Sequence, residues 1–166
     1  EVALADVDSD GDLDAFVAND QNQGNKVWLN NGSGSFTDSG QSLGSYQSYD
    51  VKLADFDDDG DLDAFVANYD QGNRVWLNDG SGSFTDSGQE LRVSSSYDNS
   101  YGVELADVDG DGDIDAFVAN YQQGNIVWLN DGGTFTATSQ TLGSYKSWDV
   151  DFADFDGDGD VDAYVA

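Results

Sequence analysis

One unit is written into this chain four times. Residues 4–19 read LADVDSDGDLDAFVAN and return, with two differences each, at 53–68 (LADFDDDGDLDAFVAN) and 105–120 (LADVDGDGDIDAFVAN). A fourth copy, FADFDGDGDVDAYVA, occupies 152–166. The leading Asp residues, Asp6, Asp55, Asp107 and Asp154, are spaced by 49, 52 and 47 residues. The longer middle interval comes from extra residues in RVSSSYDNSYG (92–102). A chain built this way folds one supersecondary unit several times and stabilises it by stacking the copies. We therefore expect a single repeat region over 1–166, with units at approximately 1–48, 49–100, 101–147 and 148–166, the last truncated. With no initiating Met and no visible targeting segment, the sequence reads as a mature or excised piece of something longer.

Each unit holds the same series of short strand signals. A short apolar stretch (VALA, VKLA, VELA or VDFA) leads into an acidic loop, and AFVAN follows it. Next comes VWLN at Val27–Asn30, Val75–Asn78 and Val127–Asn130, closed by Asn31-Gly32, Asp79-Gly80 or Asp131-Gly132. Those dipeptides tolerate successive positive φ angles and mark hairpins. A last strand surrounds Phe36, Phe84 and Phe135. The segments are too short for helices, and no 3.6-residue period survives across the turns. Four antiparallel strands in about 49 residues is the size of one propeller blade. The expected fold is all-β, with β-propeller-type blades of four antiparallel strands. About three blades and the start of a fourth fit the length, as a partial propeller or a segment of a longer repeat array.

Composition narrows the function. There are 34 Asp and Glu against 5 Lys and Arg, a formal charge of -29. Such a chain repels phosphate backbones, so no nucleic acid is expected as a partner. No 18-residue apolar run exists, and no membrane insertion is expected. The chain lacks Cys and His, which removes thiolate nucleophiles, disulfides, zinc sites and the commonest general base. An apolar content of 38% with 21 aromatic residues argues against a disordered acidic tail.

The acid is concentrated rather than spread. Four nine-residue windows of the form Asp-x-Asp-x-Asp-Gly-Asp-x-Asp contain 21 of the 34 acidic residues. Carboxylates this close repel one another unless a cation lies between them. Hard oxygen ligands at alternate positions, with glycine at the sixth to take a sharp turn, point to Ca²⁺. Side chains at positions 1, 3, 5 and 9 and the backbone carbonyl of position 7 are the expected ligands. These are Asp6, Asp8, Asp10 and Asp14 with Asp12, and Asp55, Asp57, Asp59 and Asp63 with Asp61. In the third and fourth loops they are Asp107, Asp109, Asp111 and Asp115 with Asp113, and Asp154, Asp156, Asp158 and Asp162 with Asp160. About four ions are expected, one per loop. Mg²⁺ fits less well, because it prefers few protein ligands and retained waters. An EF-hand is excluded: its bidentate Glu at position 12 is replaced by Val17, Val66, Val118 or Val165, inside a strand.

The pattern DxDxDGDxD, then AFVAN, VWLN and GSF, resembles the FG-GAP/VCBS repeat family, which includes the integrin α-subunit β-propeller and many bacterial and fungal surface proteins. The likeness runs through the whole chain. It implies blades of four antiparallel strands with a Ca²⁺ loop between the first and second, and its ligands fall on the Asp positions above. A stand-alone ring needs at least about four blades, more than this chain holds.

Other recurrent residues have plainer readings. Trp28, Trp76 and Trp128 share one repeat position and read as core or blade-to-blade packing. Tyr49, Tyr101 and Trp148 each precede a loop by six residues and read as packing, with sugar stacking as the alternative. Lys52, Glu104 and Asp151 vary in sign at one alternate position and read as a solvated face. Asn31-Gly32-Ser33 fits the N-glycosylation pattern, once only. Near-identical copies leave no place for a single active site, so no enzyme is expected. The expected function is an extracellular or cell-surface calcium-binding repeat module with a structural or adhesive role. Alternatives are a lectin-like glycan-binding module, or a non-catalytic domain attached to a secreted polysaccharide-active enzyme. Self-association or further repeats of a longer chain are the expected partners, with a glycan or cell-surface protein as ligand.

Overall fold

A computed structural model of the chain describes residues 1–92, 99–140, 142–144 and 146–166. The extra residues of the longest repeat interval fall largely at 93–98, outside the described residues. The described chain is all-β, in antiparallel sheets. The first repeat forms β1 (Val2–Ala5), β2 (Asp14–Val17), β3 (Gln23–Asn30) and β4 (Phe36–Asp38). The second forms β5 (Leu43–Ala54), β6 (Asp63–Tyr69), β7 (Asn73–Asn78) and β8 (Phe84–Leu91). The third forms β9 (Ser100–Ala106), β10 (Asp115–Asn120), β11 (Ile126–Asp131) and β12 (Thr134–Ala137), and the fourth supplies β13 (Val150–Ala153) and β14 (Asp162–Val165).

Each of the first three repeats folds into a four-stranded meander in the same register. Ala3 faces Phe16 and Ala15 faces Trp28 in the first. Lys52 and Ala64 take the equivalent partners Phe65 and Trp76 in the second, and Glu104 and Ala116 take Phe117 and Trp128 in the third. This is propeller-like blade architecture, and the described residues form no closed ring. β5 belongs to two blades. Its Leu43 and Tyr46 pair with Asn25 and Gln23 of β3, while Gln47 to Ala54 pair with β6. One strand thus finishes the first blade and opens the second.

The cores lie between blades, not inside them. One joins Phe16, Val27 and Leu43 of the first blade to Ala64, Trp76 and Phe84 of the second. The next joins Phe56 and Phe65 to Trp128 and Phe135, and the third sets Phe117 and Val127 against Val150. A blade is one sheet thick, so each apolar face must be covered by its neighbour. Trp76 and Trp128 are buried in these cores as expected, whereas Trp28 is at the surface.

Polar side chains fasten the blades together at fixed places. The Gln41 amide donates to the Gly82 carbonyl at 2.7 Å and accepts from the Phe84 N–H at 2.8 Å. Gln89 repeats both bonds on Gly133 and Phe135, at 2.7 and 2.9 Å. Lys52 and Glu104, expected on a solvated face, form a 2.8 Å ion pair between the inner strands β5 and β9. At the opposite end of those strands from the acidic loops, Tyr49, Tyr101 and Trp148 pack in a row, their rings tilted or edge to face. Successive ring centroids are 4.6 Å apart, and Tyr69 and Tyr121 flank the row.

Candidate metal centre

Every acidic loop joins the first strand of a blade to the second and curls through two left-handed residues. Position 6 is Gly11, Gly60, Gly112 or Gly159, at φ between 94° and 106°. Position 4 is also left-handed: Ser9 and Asp58 at φ 62° and 60°, Gly110 and Gly157 at 80°. The position 1 carboxylate is the pivot of the curl. Asp6, Asp55, Asp107 and Asp154 each accept a bond from the position 6 N–H, at 2.9 to 3.1 Å.

The curl gathers carboxylates. Oxygens of Asp55, Asp57 and Asp63 lie within 4.8 Å of one another, as do those of Asp107, Asp109 and Asp115, and of Asp154, Asp156 and Asp162. In the first loop the gathered set is Asp6, Asp8 and Asp10. Positions 1 and 3 therefore converge in all four loops, and position 9 joins them in three. Position 5 stays outside the tight cluster in the last three loops. There Asp59, Asp111 and Asp158 each accept from the N–H two residues on, at 2.9 to 3.0 Å.

Position 9 does more than face the cluster. Asp14, Asp63 and Asp115 are fully buried, and each bridges two backbone segments. Asp63 accepts from the Phe56 N–H at 3.2 Å and from the Asn78 N–H at 2.8 Å, tying the loop to the third strand. Asp14 makes the same pair of bonds with Val7 and Asn30, and Asp115 with Val108 and Asn130. Position 7 carries a second function that spacing gave no sign of. The Asp113 carboxylate accepts from the Gly132 N–H at 3.0 Å, capping the hairpin turn. A Cβ at Gly32 or Gly80 would collide with the carboxylate of Asp12 or Asp61. Recurrence of Asp at a position assigned only a carbonyl was the available signal.

The next blade closes over the loop. The Asn78 amide donates to the Val7 carbonyl at 2.9 Å, and Asn130 to the Phe56 carbonyl at 2.9 Å. A Cβ on Gly82 would come within 3.5 Å of the Asp8 Cβ, and one on Gly133 within 3.0 Å of the Asp57 Cβ. Covered this way, the second loop holds two buried carboxylate oxygens, Asp55 Oδ1 and Asp57 Oδ1, without a hydrogen-bond partner. Burial pushes the carboxyls of Asp8, Asp57 and Asp115 above the ordinary range, and that of Asp63 up to about 6. Two buried, unpartnered carboxylate oxygens in contact range of a third carboxylate form an arrangement that a hard divalent cation completes. The donor set, all oxygen and lacking His or Cys, fits Ca²⁺.

The FG-GAP-like repeat profile matches three times, over residues 6–66, 55–118 and 107–165. The chain belongs to the FG-GAP-like repeat family. Each match runs from one acidic loop to the second strand of the following blade, so the FG-GAP unit spans an interface between blades. Such repeats are structural modules, generally non-enzymatic and typical of extracellular and adhesion proteins. No described helix is long and apolar enough to cross a membrane. No curated protein matches the chain.

Proposed function

We propose that this chain is an extracellular calcium-binding repeat module with a structural role in adhesion. One Ca²⁺ per acidic loop staples the corner between the first two strands of each blade. The reading is carried by the unpartnered, buried oxygens of Asp55 and Asp57 beside Asp63. Left alone, these like charges open the loop, and with it the seat of the Asn130 amide on the Phe56 carbonyl. With the ion in place, the loop becomes a rigid platform for the turn of the next blade. Positions 1, 3 and 9 supply carboxylate oxygens in this reading. Position 5 and the position 7 carbonyl complete the shell. Loops of this kind suit high-calcium surroundings, with Kd on the order of 10⁻⁴–10⁻³ M for extracellular modules. That is the argument for the cell exterior. The aromatic row supports structure rather than sugar binding, because Tyr49, Tyr101 and Trp148 turn their rings toward one another.

Calorimetric titration tests the reading directly. About four Ca²⁺ should bind per chain, with Mg²⁺ competing poorly. A folded-state ligand at a hundredfold excess over Kd stabilises by about 2.7 kcal/mol per site, so chelation should lower the melting temperature markedly and added Ca²⁺ should restore it. A melting curve unchanged by excess EGTA overturns the proposal.

A further inference from the structure

The Asn31-Gly32-Ser33 turn joins β3 to β4 and supplies nothing to the proposed calcium site. Its geometry is specific. The Asn31 Oδ1 accepts from the Ser33 N–H at 3.1 Å and from the Ser33 hydroxyl at 2.7 Å. Gly32, at φ 72°, lies against the Asp12 carboxylate, where a Cβ would collide. The underside of the turn thus rests on the acidic loop, while Asn31, Gly32 and Ser33 are exposed. Asp79-Gly80-Ser81 builds the same turn in the second repeat. There the Asp79 carboxylate accepts from the Ser81 N–H at 3.0 Å and from its hydroxyl at 2.6 Å. The turn therefore needs only the acceptor oxygen, and the Asn31 amide nitrogen is spare to the fold. Asp79 and Ser81 are exposed even though Gly82 beside them packs on Leu29 and Val7 of the first blade. Exposure belongs to the turn itself and not to its place in the first repeat.

We infer that Asn31 is an N-glycan acceptor, taking an oligosaccharide from a polyprenyl-pyrophosphate donor. An Asn two residues before a Ser, with no Pro between them, is the acceptor pattern of surface loops in secreted proteins. It occurs once in the chain. The Ser33 hydroxyl, bonded to Oδ1, draws electrons toward the carbonyl and makes the Nδ2 protons easier to remove. In the transfer, Nδ2 bonds to the anomeric carbon of the donor sugar as the bond from that carbon to the pyrophosphate oxygen breaks. The lipid pyrophosphate leaves with the electron pair, and the Nδ2 proton passes to a base of the transferring enzyme. The glycan then stands in solvent beside the first acidic loop. The inference rests on the extracellular reading, because the enzyme and its donor meet chains that are leaving the cell.

Expression of the 166-residue chain behind a secretion signal in a eukaryotic host tests this, with mass spectrometry before and after peptide-N-glycosidase. The secreted protein should carry one N-glycan, whose enzymatic release converts Asn31 to aspartate. Asn31→Gln and Ser33→Ala should each abolish it. Asp79→Asn should add a second glycan, because Gly80 and Ser81 complete the same turn. Asp131→Asn should add none, since Gly133 offers no hydroxyl. A parent secreted without a glycan overturns the inference, as does a glycan retained in Ser33→Ala. So does an Asp79→Asn variant that gains none, because the shared turn then does not make the acceptor. If secretion fails, the folded chain is incubated with a purified oligosaccharyltransferase and a lipid-linked oligosaccharide, and the same masses decide. The added signal delivers the chain to the enzyme whatever its natural location. A bare Asn31 therefore sinks this inference alone and leaves the calcium reading to its own titration.

Discussion

At the scale of single residues, the acidic loop gathers like charges, two of their oxygens buried without a partner, and the proposed role of a cation there can be tested one atom at a time. Asp57→Asn keeps the shape of the side chain and removes one of the buried, unpartnered charges. Calcium stoichiometry should fall by one ion in calorimetry, while the melting temperature of the calcium-free protein should rise. A fall in the calcium-free melt would mean that Asp57 is not under repulsion. Asp58 stands at φ 60°, where the third and fourth loops have Gly110 and Gly157. Asp58→Gly should therefore stabilise by about 1 kcal/mol in thermal unfolding and leave stoichiometry unchanged. The raised carboxyls set a pH dependence of unusual sign. Asp63 goes from 3.8 to about 6 on folding, so the calcium-free folded state holds its proton where the unfolded chain has released it. Stability without Ca²⁺ should be highest below pH 4 and decline as pH rises through 6. Ca²⁺ affinity should move the other way, weakening below pH 6 as protons compete. The alternating ligand pattern was legible in the sequence because a nine-residue curl is local. The double duty of Asp63 and Asp113 was not, since Asn78 and Gly132 reach them from 15 and 19 residues away.

At the scale of strands and turns, the fold depends on polar contacts that cross from blade to blade. Gln89 satisfies both a carbonyl and an N–H of the next blade, in part-buried surroundings. Gln89→Ala should cost about 1–3 kcal/mol in denaturant unfolding. Gln140 holds the same place in the third repeat, where the described residues offer no such turn, and Gln140→Ala should be near neutral. Equal losses at the two positions would remove the interface role. Strand positions and hairpins were readable, since VWLN ending in Asn-Gly or Asp-Gly fixes a local turn. Period-two burial says that a face is covered without saying by what, so the placement of the cores between blades was hidden. Gln41, Gln89 and Gln140 precede Leu43, Leu91 and Leu142 by two residues each. That was the signal for the clasp, visible as a recurrence but without chemistry until the neighbouring turn was in view.

At the scale of the molecule, the four acidic loops are unequal in surroundings although nearly identical in sequence. The second loop lies under the turn at Gly133, whereas Asp154 and Asp156 are exposed. Ca²⁺ should bind the loop at Asp154 most weakly in this chain, because Asp154 and Asp156 are exposed to water. A titration followed by NMR of the four position 6 glycines should show Gly159 shifting last. Hydrogen exchange should be slowest in β6, β7 and β10, which are covered on both faces, and fastest in β13 and β14, as expected for a stack whose stability comes from neighbours.

The aromatic row has an optical consequence. Tyr49, Tyr101 and Trp148 belong to three successive repeats yet their ring centroids follow one another at 4.6 Å. Light absorbed by the tyrosines will migrate along the row and emerge as Trp148 fluorescence, and the closely packed, mutually tilted rings will give a coupled circular dichroism band. Both signals depend on the distance between blades and not on the integrity of any one of them. The protein therefore carries an intrinsic gauge of whether its blades are seated, readable without a label.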